Sequence, residues 1–331
     1  MKTKYLQFLL IITTLSALLF TACSKNNNNN NNGTSTTDLQ TQSDDQARVS
    51  TETDATFDDV NVAMSSSGSV AGTGVSPILH YGIAVEGGNS DTVKTTICDA
   101  TVVVDSVDNP RTITINYNGS NCNLTRKREG KVVISIASGV RWSQAGAQVT
   151  VNFVNLKVTR LLDGKAITFN GTHTYTNVSG GLLISLNANS TSPITHTLTS
   201  SNMSITFDDG TQRTWSIAKQ RVFSYSSGIV VTETGMHSNG NLNGIAEWGT
   251  NRFGNSFTSQ IAQAIVVSQS CNWQVTSGQY VLINAGGTLT LTFGLNSTGQ
   301  ATGCPVSSAS YYFQLVWAGS GGKTYTFIAP Y

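Results

Sequence analysis

The sequence predicts an all-β fold of antiparallel sheets, either a sandwich or a large curled half-barrel, preceded by at most one short N-terminal helix. Three observations predict it. From about Ile78 onward apolar and polar residues alternate at period two, the pattern of strands that bury one face. Asp163-Gly164 and Asp208-Asp209-Gly210 stand between such runs, and both are signals for tight hairpin turns. The chain also holds 31 glycines against five prolines, so turns are supplied without breaking strand hydrogen bonding.

The N-terminal elements come first. Lys2 and Lys4 precede an apolar run from Leu6 to Phe20, broken only by Gln7, Thr13, Thr14 and Ser16. That run is too short for a membrane span and has the charge and length of a secretory signal peptide, residues 1–22. Thr21 and Ala22 then lead into Cys23, which resembles the lipobox of bacterial lipoproteins, so Cys23 is the expected lipidation site. Seven asparagines follow at 26–32. Such a tract has no apolar surface to bury against its chain entropy, so residues 23–43 are expected to form a disordered tether.

Removing the signal peptide takes Lys2 and Lys4 from the 19 basic residues, leaving 17 against 18 acidic ones, a net charge of −1. With only 11% of residues charged, the chain has no basic patch for a phosphate backbone, which argues against nucleic acid. The expected partner is the membrane, through the lipid anchor. Residues 44–74 read as a short helix and linker, with Val49, Phe57, Val60 and Met64 near helical spacing.

The remainder, 75–331, reads as one β body made of two related halves. Val132, Ile134 and Ile136 share one strand face, as do Val149, Val151 and Phe153. The parity then changes to Val154, Leu156 and Val158, which predicts a β-bulge near Phe153. Four cysteines remain, and an even number in an exported chain predicts two disulfides. Folding one hairpin about Asn109 places residue 98 opposite 120, and folding another about Ala285-Gly286 places residue 271 opposite about 300. Three connectivities are formally open, and this geometry selects Cys98–Cys122 and Cys271–Cys304. The two Cys-strand-turn-strand-Cys blocks suggest an internal duplication.

Chemistry is sparse. The sequence contains no HxH, HExxH or GxSxG pattern and no phosphate-cradling glycine loop, so neither a catalytic residue nor a metal site nor a cofactor is assigned. His173 and His196 sit in Thr-His-Thr contexts and are assigned to the polar face of their strands. Trp142, Trp215, Trp273 and Trp317 fall in phase with apolar neighbours and are assigned to the core. Trp248 lies instead in a Gly- and Asn-rich stretch, Gly235 to Phe257, with His237, Glu247, Arg252 and Phe253 nearby. An aromatic plate with polar groups around it is suited to stacking on a glycan or another polar ligand, so these five residues are the candidate contact surface.

The runs "CDATVVVDSVDNPRTITINYNGSNC", "RKREGKVVISI", "DGKAITFNGTHTYTN", "DDGTQRTW" and "CNWQVTSGQYVLI" resemble a group of exported β-rich lipoproteins of Bacteroidota with no established activity. The resemblance implies location at the outer membrane, on the cell surface or its periplasmic face, and assigns no catalytic residue. Asp91-Thr92-Val93 and Asp105-Ser106-Val107 look like the O-glycosylation acceptor of such bacteria, which marks Thr92 and Ser106. The resulting expectation is a non-enzymatic, anchored binding or interaction protein whose partner is a glycan or another envelope protein. The alternative is a periplasmic carrier of a lipid or lipoprotein with a concave apolar groove.

Overall fold

The computed structural model describes residues 36–71, 92–93, 97–304 and 310–331. The expected signal peptide, the lipidation site Cys23, the tether up to residue 35, the end of the expected linker at 72–74 and the first residues of the expected β body at 75–91 lie outside the described residues. Helix α1 runs over Thr36–Ser66 and a one-turn helix α2 over Gly68–Ala71. Among the described residues no helix is long and apolar enough to cross a membrane.

Helix α1 corrects two expectations. It is 31 residues long where a short helix was anticipated, and it takes in 36–43, the C-terminal end of the expected tether. The cause lies in how its polar residues are housed. Thr53 Oγ1 donates to the Val49 carbonyl (2.8 Å), Asn61 Nδ2 to Phe57 (2.9 Å) and Ser66 Oγ to Val62 (2.7 Å), so side chains that would break a solvated helix bond back along it. No glycine or proline interrupts 36–66. Val49, Phe57, Val60 and Met64 are all buried, as their spacing predicts.

The sixteen strands of the described residues pair antiparallel, which confirms the fold class. They fall into two compact units, Thr56–Ser226 and Ser227–Tyr331, the latter taking in also residues 36–55. In the Thr56–Ser226 unit the strands are β1 (Thr92–Val93), β2 (Ala100–Asp105), β3 (Arg111–Ser120), β4 (Arg126–Ile136), β5 (Ala147–Arg160), β6 (Ala166–Asn177), β7 (Ile194–Phe207) and β8 (Gln212–Tyr225). Each pairs with the next in sequence. Ile113, Ile115, Val132, Ile134, Val151, Phe153 and the helix residue Phe57 are buried here.

The Ser227–Tyr331 unit holds β9 (Ile229–Gly235), β10 (His237–Asn239), β11 (Leu242–Thr250), β12 (Ser256–Ser268), β13 (Gln274–Asn284), β14 (Gly287–Leu295), β15 (Tyr312–Gly319) and β16 (Thr324–Pro330). Strands β10 to β16 pair in sequence order, and β9 lies against the far end of β12. Leu291, Phe313, Leu315 and Ala329 form one buried cluster, and Val267, Trp273 and Val275 another.

The local expectations about strands hold in detail. Gly164 and Gly210 take left-handed φ values of 72° and 79° at the predicted hairpin turns. The bulge forms where the parity changes, with the β5–β6 register shifting between Phe153 and Leu156 and Asn155 at φ 48°. Both predicted disulfides are present, with Cα–Cα separations of 5.2 Å for Cys98–Cys122 and 5.3 Å for Cys271–Cys304. The first flanks the β2–β3 hairpin and the second the β13–β14 hairpin, and Gly278 pairs with Phe293, the register anticipated from folding about Ala285-Gly286. Trp142, Trp215 and Trp273 are buried, while Trp317 is half-buried and stacks on Tyr325 at 5.4 Å.

Candidate functional site

The stretch expected to form a contact surface is built mostly of strand. Strands β10 and β11 and the start of β12 cover it, with a turn at 251–255 in which Asn251 Oδ1 accepts the backbone N–H groups of Phe253 (3.0 Å) and Asn255 (2.9 Å). Gly254 supplies the left-handed position, φ 79°. Residues that were grouped by sequence proximity are therefore distributed by strand alternation.

Glu247 faces α1 and is fully buried. It accepts hydrogen bonds from Gln46 Nε2 and from Ser50 Oγ (2.9 Å and 3.2 Å to its two oxygens). Gln46 also donates to Tyr280 Oη (3.0 Å). Arg252 forms a two-pronged pair with Asp45, Nε to Oδ2 at 2.7 Å and Nη2 to Oδ1 at 2.6 Å. Asn251 and Asn284 both donate to Gln42 Oε1 (3.0 Å each). Glu247 and Arg252 thus hold the helix and do not stand with Trp248 in an open ligand site. Desolvated charges need partners of this kind, and here the partners come from the same chain.

Trp248 lies on the opposite strand face from Glu247, paired with Thr258. The His237 imidazole stacks against its indole at 4.0 Å between ring centres and 17° between planes. Both rings are half-buried, and Phe253 projects from the nearby turn, 42% exposed. Of the five expected contact residues, then, His237 and Trp248 form a plate, Phe253 stands exposed at the turn, and Glu247 and Arg252 belong to the helix contact. Ser106 is exposed in the turn after β2, and Thr92 lies in β1 with its side chain outside the described residues.

A second polar cluster, in the Thr56–Ser226 unit, escaped the sequence reading. Arg128 is buried and binds Asp99 with two prongs (both 2.7 Å) and Asp59 of α1 at 2.6 Å. Tyr117 Oη donates to Asp59 (2.8 Å), and the guanidinium lies 4.2 Å from the Tyr117 ring centre. Burial, reinforced by the Asp59 carboxylate, pushes the Tyr117 phenol well above its ordinary range, so it stays a donor. A signal was present in the sequence. Arg126 and Arg128 share even parity with Val132, Ile134 and Ile136, which marks both arginines as inward-facing.

His173 and His196 require the plainest correction. Both are buried against aromatic rings and do not lie on a polar face. Burial lowers the His173 pKa to about 3 and the His196 pKa to about 4, so both imidazoles are neutral near pH 7. Their flanking threonines alternate outward, and the Thr-His-Thr context gave the wrong face because it shows polarity without showing which residue is polar by necessity. No family model, curated protein or solved structure matches the chain.

Proposed function

We propose that this chain is an exported, lipid-anchored and non-enzymatic binding protein of the outer membrane that takes a saccharide through the Trp248–His237 plate. The observation that carries the reading is the 4.0 Å stack of His237 on Trp248, set on paired strands on the face opposite Glu247. Imidazole backing fixes the indole orientation, and a fixed aromatic ring offers the C–H face of a pyranose a surface that loses little side-chain entropy on binding. The strand frame of β11 and β12 holds the plate. Anchoring through Cys23 rests on the lipobox resemblance, and the outer membrane on the resemblance to exported lipoproteins of Bacteroidota. The lipid-carrier reading has less support, because α1 already occupies the strand face that carries Glu247, Asn251, Arg252 and Asn284, seated there through Gln42, Asp45, Gln46 and Ser50.

The test is binding to a panel of immobilised polysaccharides, comparing the wild type with Trp248→Ala. Loss of about 1.4 kcal/mol of stacking corresponds to roughly ten-fold weaker binding. Equal affinity of the two proteins for every polysaccharide bound would overturn the saccharide assignment.

A further inference from the structure

Three leucines of the Thr56–Ser226 unit stand in water at one end of its strands. Leu124 lies in the turn between β3 and β4 and is 71% exposed, while Leu161 and Leu162 lie in the turn between β5 and β6 and are 46% and 83% exposed. The two turns are neighbours. Arg126 pairs with Arg160 at the ends of β4 and β5, and the Leu161 N–H donates to the Thr125 carbonyl (3.0 Å).

Neither turn is held by its leucines. Asn121 Oδ1 accepts the N–H groups of Thr125 (2.9 Å) and Arg126 (3.1 Å), and Cys122 ties the first turn to Cys98. The second turn is made by Asp163 and Gly164, with Arg160 Nε donating to Asp163 Oδ1 (2.9 Å). Leu124 sits at φ 55°, a left-handed position that glycine or asparagine takes at lower cost. The molecule thus keeps apolar side chains at turn apices where polar ones would serve the fold better.

Their surroundings indicate what they meet. The apices are convex, and around them Lys127, Lys157, Arg160 and Lys165 are matched by Glu129, Asp163, Asp208 and Asp209. With the signs balanced, apolar contact is left as the attraction, and long cationic side chains beside it can keep their heads at the level of lipid headgroups. The course of α1 agrees. Within this unit Asp59 bonds Arg128, close to the leucine end of β4, whereas the Val70 and Ala71 carbonyls accept from Trp142 and Ser143 in the turn at the other end. Followed back toward Cys23, α1 therefore heads for the leucine end.

We infer that Leu124, Leu161 and Leu162 form a lipid-facing tip that inserts into the interfacial layer of a phospholipid bilayer. This goes beyond the saccharide reading and rests on the proposed Cys23 anchor only for the sense of that last direction.

Flotation tests the tip without the anchor, using the lipid-free chain from Ser24 to Tyr331, which keeps every described residue, and excess phosphatidylcholine vesicles. Wild type should float at low and at high salt. Leu124→Ser/Leu161→Ser/Leu162→Ser, which alters only exposed turn positions, should bind about 100-fold more weakly. Depth is read on the lipidated full-length protein in the same vesicles, with a spin label at Leu162→Cys or at Val107→Cys, the latter 91% exposed in the turn between β2 and β3 at the opposite end. The label at 162 should be shielded from a water-soluble nickel chelate and the label at 107 open to it. The proposal is overturned by a wild type that does not float, by a triple variant that floats equally well, or by equal chelate access at the two labels. Binding confined to anionic vesicles and released by salt also overturns it, because the lysines would then be the contact. An unmodified Cys23 found by mass spectrometry would bear on the anchor alone, since flotation makes no use of it.

Discussion

His173 and His196 keep both ring nitrogens without a hydrogen-bond partner among the described residues. His173 lies against Phe153 (4.7 Å between ring centres), Trp215 (5.7 Å) and Tyr175 (6.0 Å), with the Lys219 ammonium as its charged neighbour. His196 lies against Trp142 (5.1 Å), Phe223 (5.3 Å) and the helix residue Phe57 (6.1 Å), and Arg221 is the cation beside it. Burial and these cations both disfavour the imidazolium. In the unfolded chain each imidazole protonates near its ordinary value of 6.5, whereas in the folded chain His173 waits until about 3 and His196 until about 4. Below 6.5 the unfolded state therefore binds more protons, and stability falls with pH through that window before levelling near 3 to 4. At about 1.4 kcal/mol per pH unit and per residue, the pair removes roughly 3 to 4 kcal/mol between pH 6.5 and 5. Urea titrations at pH 7 and pH 5 read this loss directly. The double variant His173→Phe/His196→Phe, which keeps aromatic volume in the cage, should lose most of the difference, and an undiminished pH dependence would contradict the assignment.

At the scale of elements, the bulge in β5 shows how a backbone irregularity is held in place. Asn155 adopts φ 48° where the β4–β5 register shifts between Glu129 and Lys131, and Gly130 takes φ 106° directly across from it. A Cβ on Gly130 would run into the Asn155 carbonyl. Gly130→Ala therefore combines an unfavourable φ with a backbone clash and should cost about 2 to 4 kcal/mol in denaturant stability, while Gly139→Ala, where a Cβ meets open space, should cost only the φ penalty of about 1 kcal/mol. Equal costs at the two sites would refute the clash. The bulge was legible in the sequence because it changes which residues are apolar, and the hairpins were legible because Asp-Gly chemistry is local. Helix α1 was legible only at Val49, Phe57, Val60 and Met64. Its other buried positions, Gln42, Asp45, Gln46 and Thr53 among them, look like solvent-facing residues until the strand partners that satisfy them are in view. For the same reason Glu247 and Arg252 looked like ligand groups, because their actual partners lie some two hundred positions away in sequence.

For the whole molecule, only 11% of residues are charged, yet buried carboxylate–guanidinium pairs recur, at Arg252–Asp45 and at Arg128–Asp59–Asp99. Buried pairs of this kind specify which surfaces meet more than they add net stability, because desolvation offsets much of the attraction. Stability beyond the apolar clusters then draws on the disulfides, of which each unit has one. Cys98–Cys122 closes a loop with sequence separation 24, and Cys271–Cys304 one of 33. Chain-entropy arguments give each closure about 3.5 kcal/mol, and because the constraint acts on the loop it closes, the effect is local to its own hairpin. Replacing one pair by alanines should raise amide exchange in the strands that it flanks, β2 and β3 for Cys98→Ala/Cys122→Ala, and β13 and β14 for Cys271→Ala/Cys304→Ala. Exchange followed by mass spectrometry resolves the two hairpins in one experiment. If the staples are local, each double variant loosens its own hairpin by a few hundred-fold at most and leaves the other within a few-fold of wild type. A matching rise in both hairpins from either variant would show instead that the constraint is shared along the strand order.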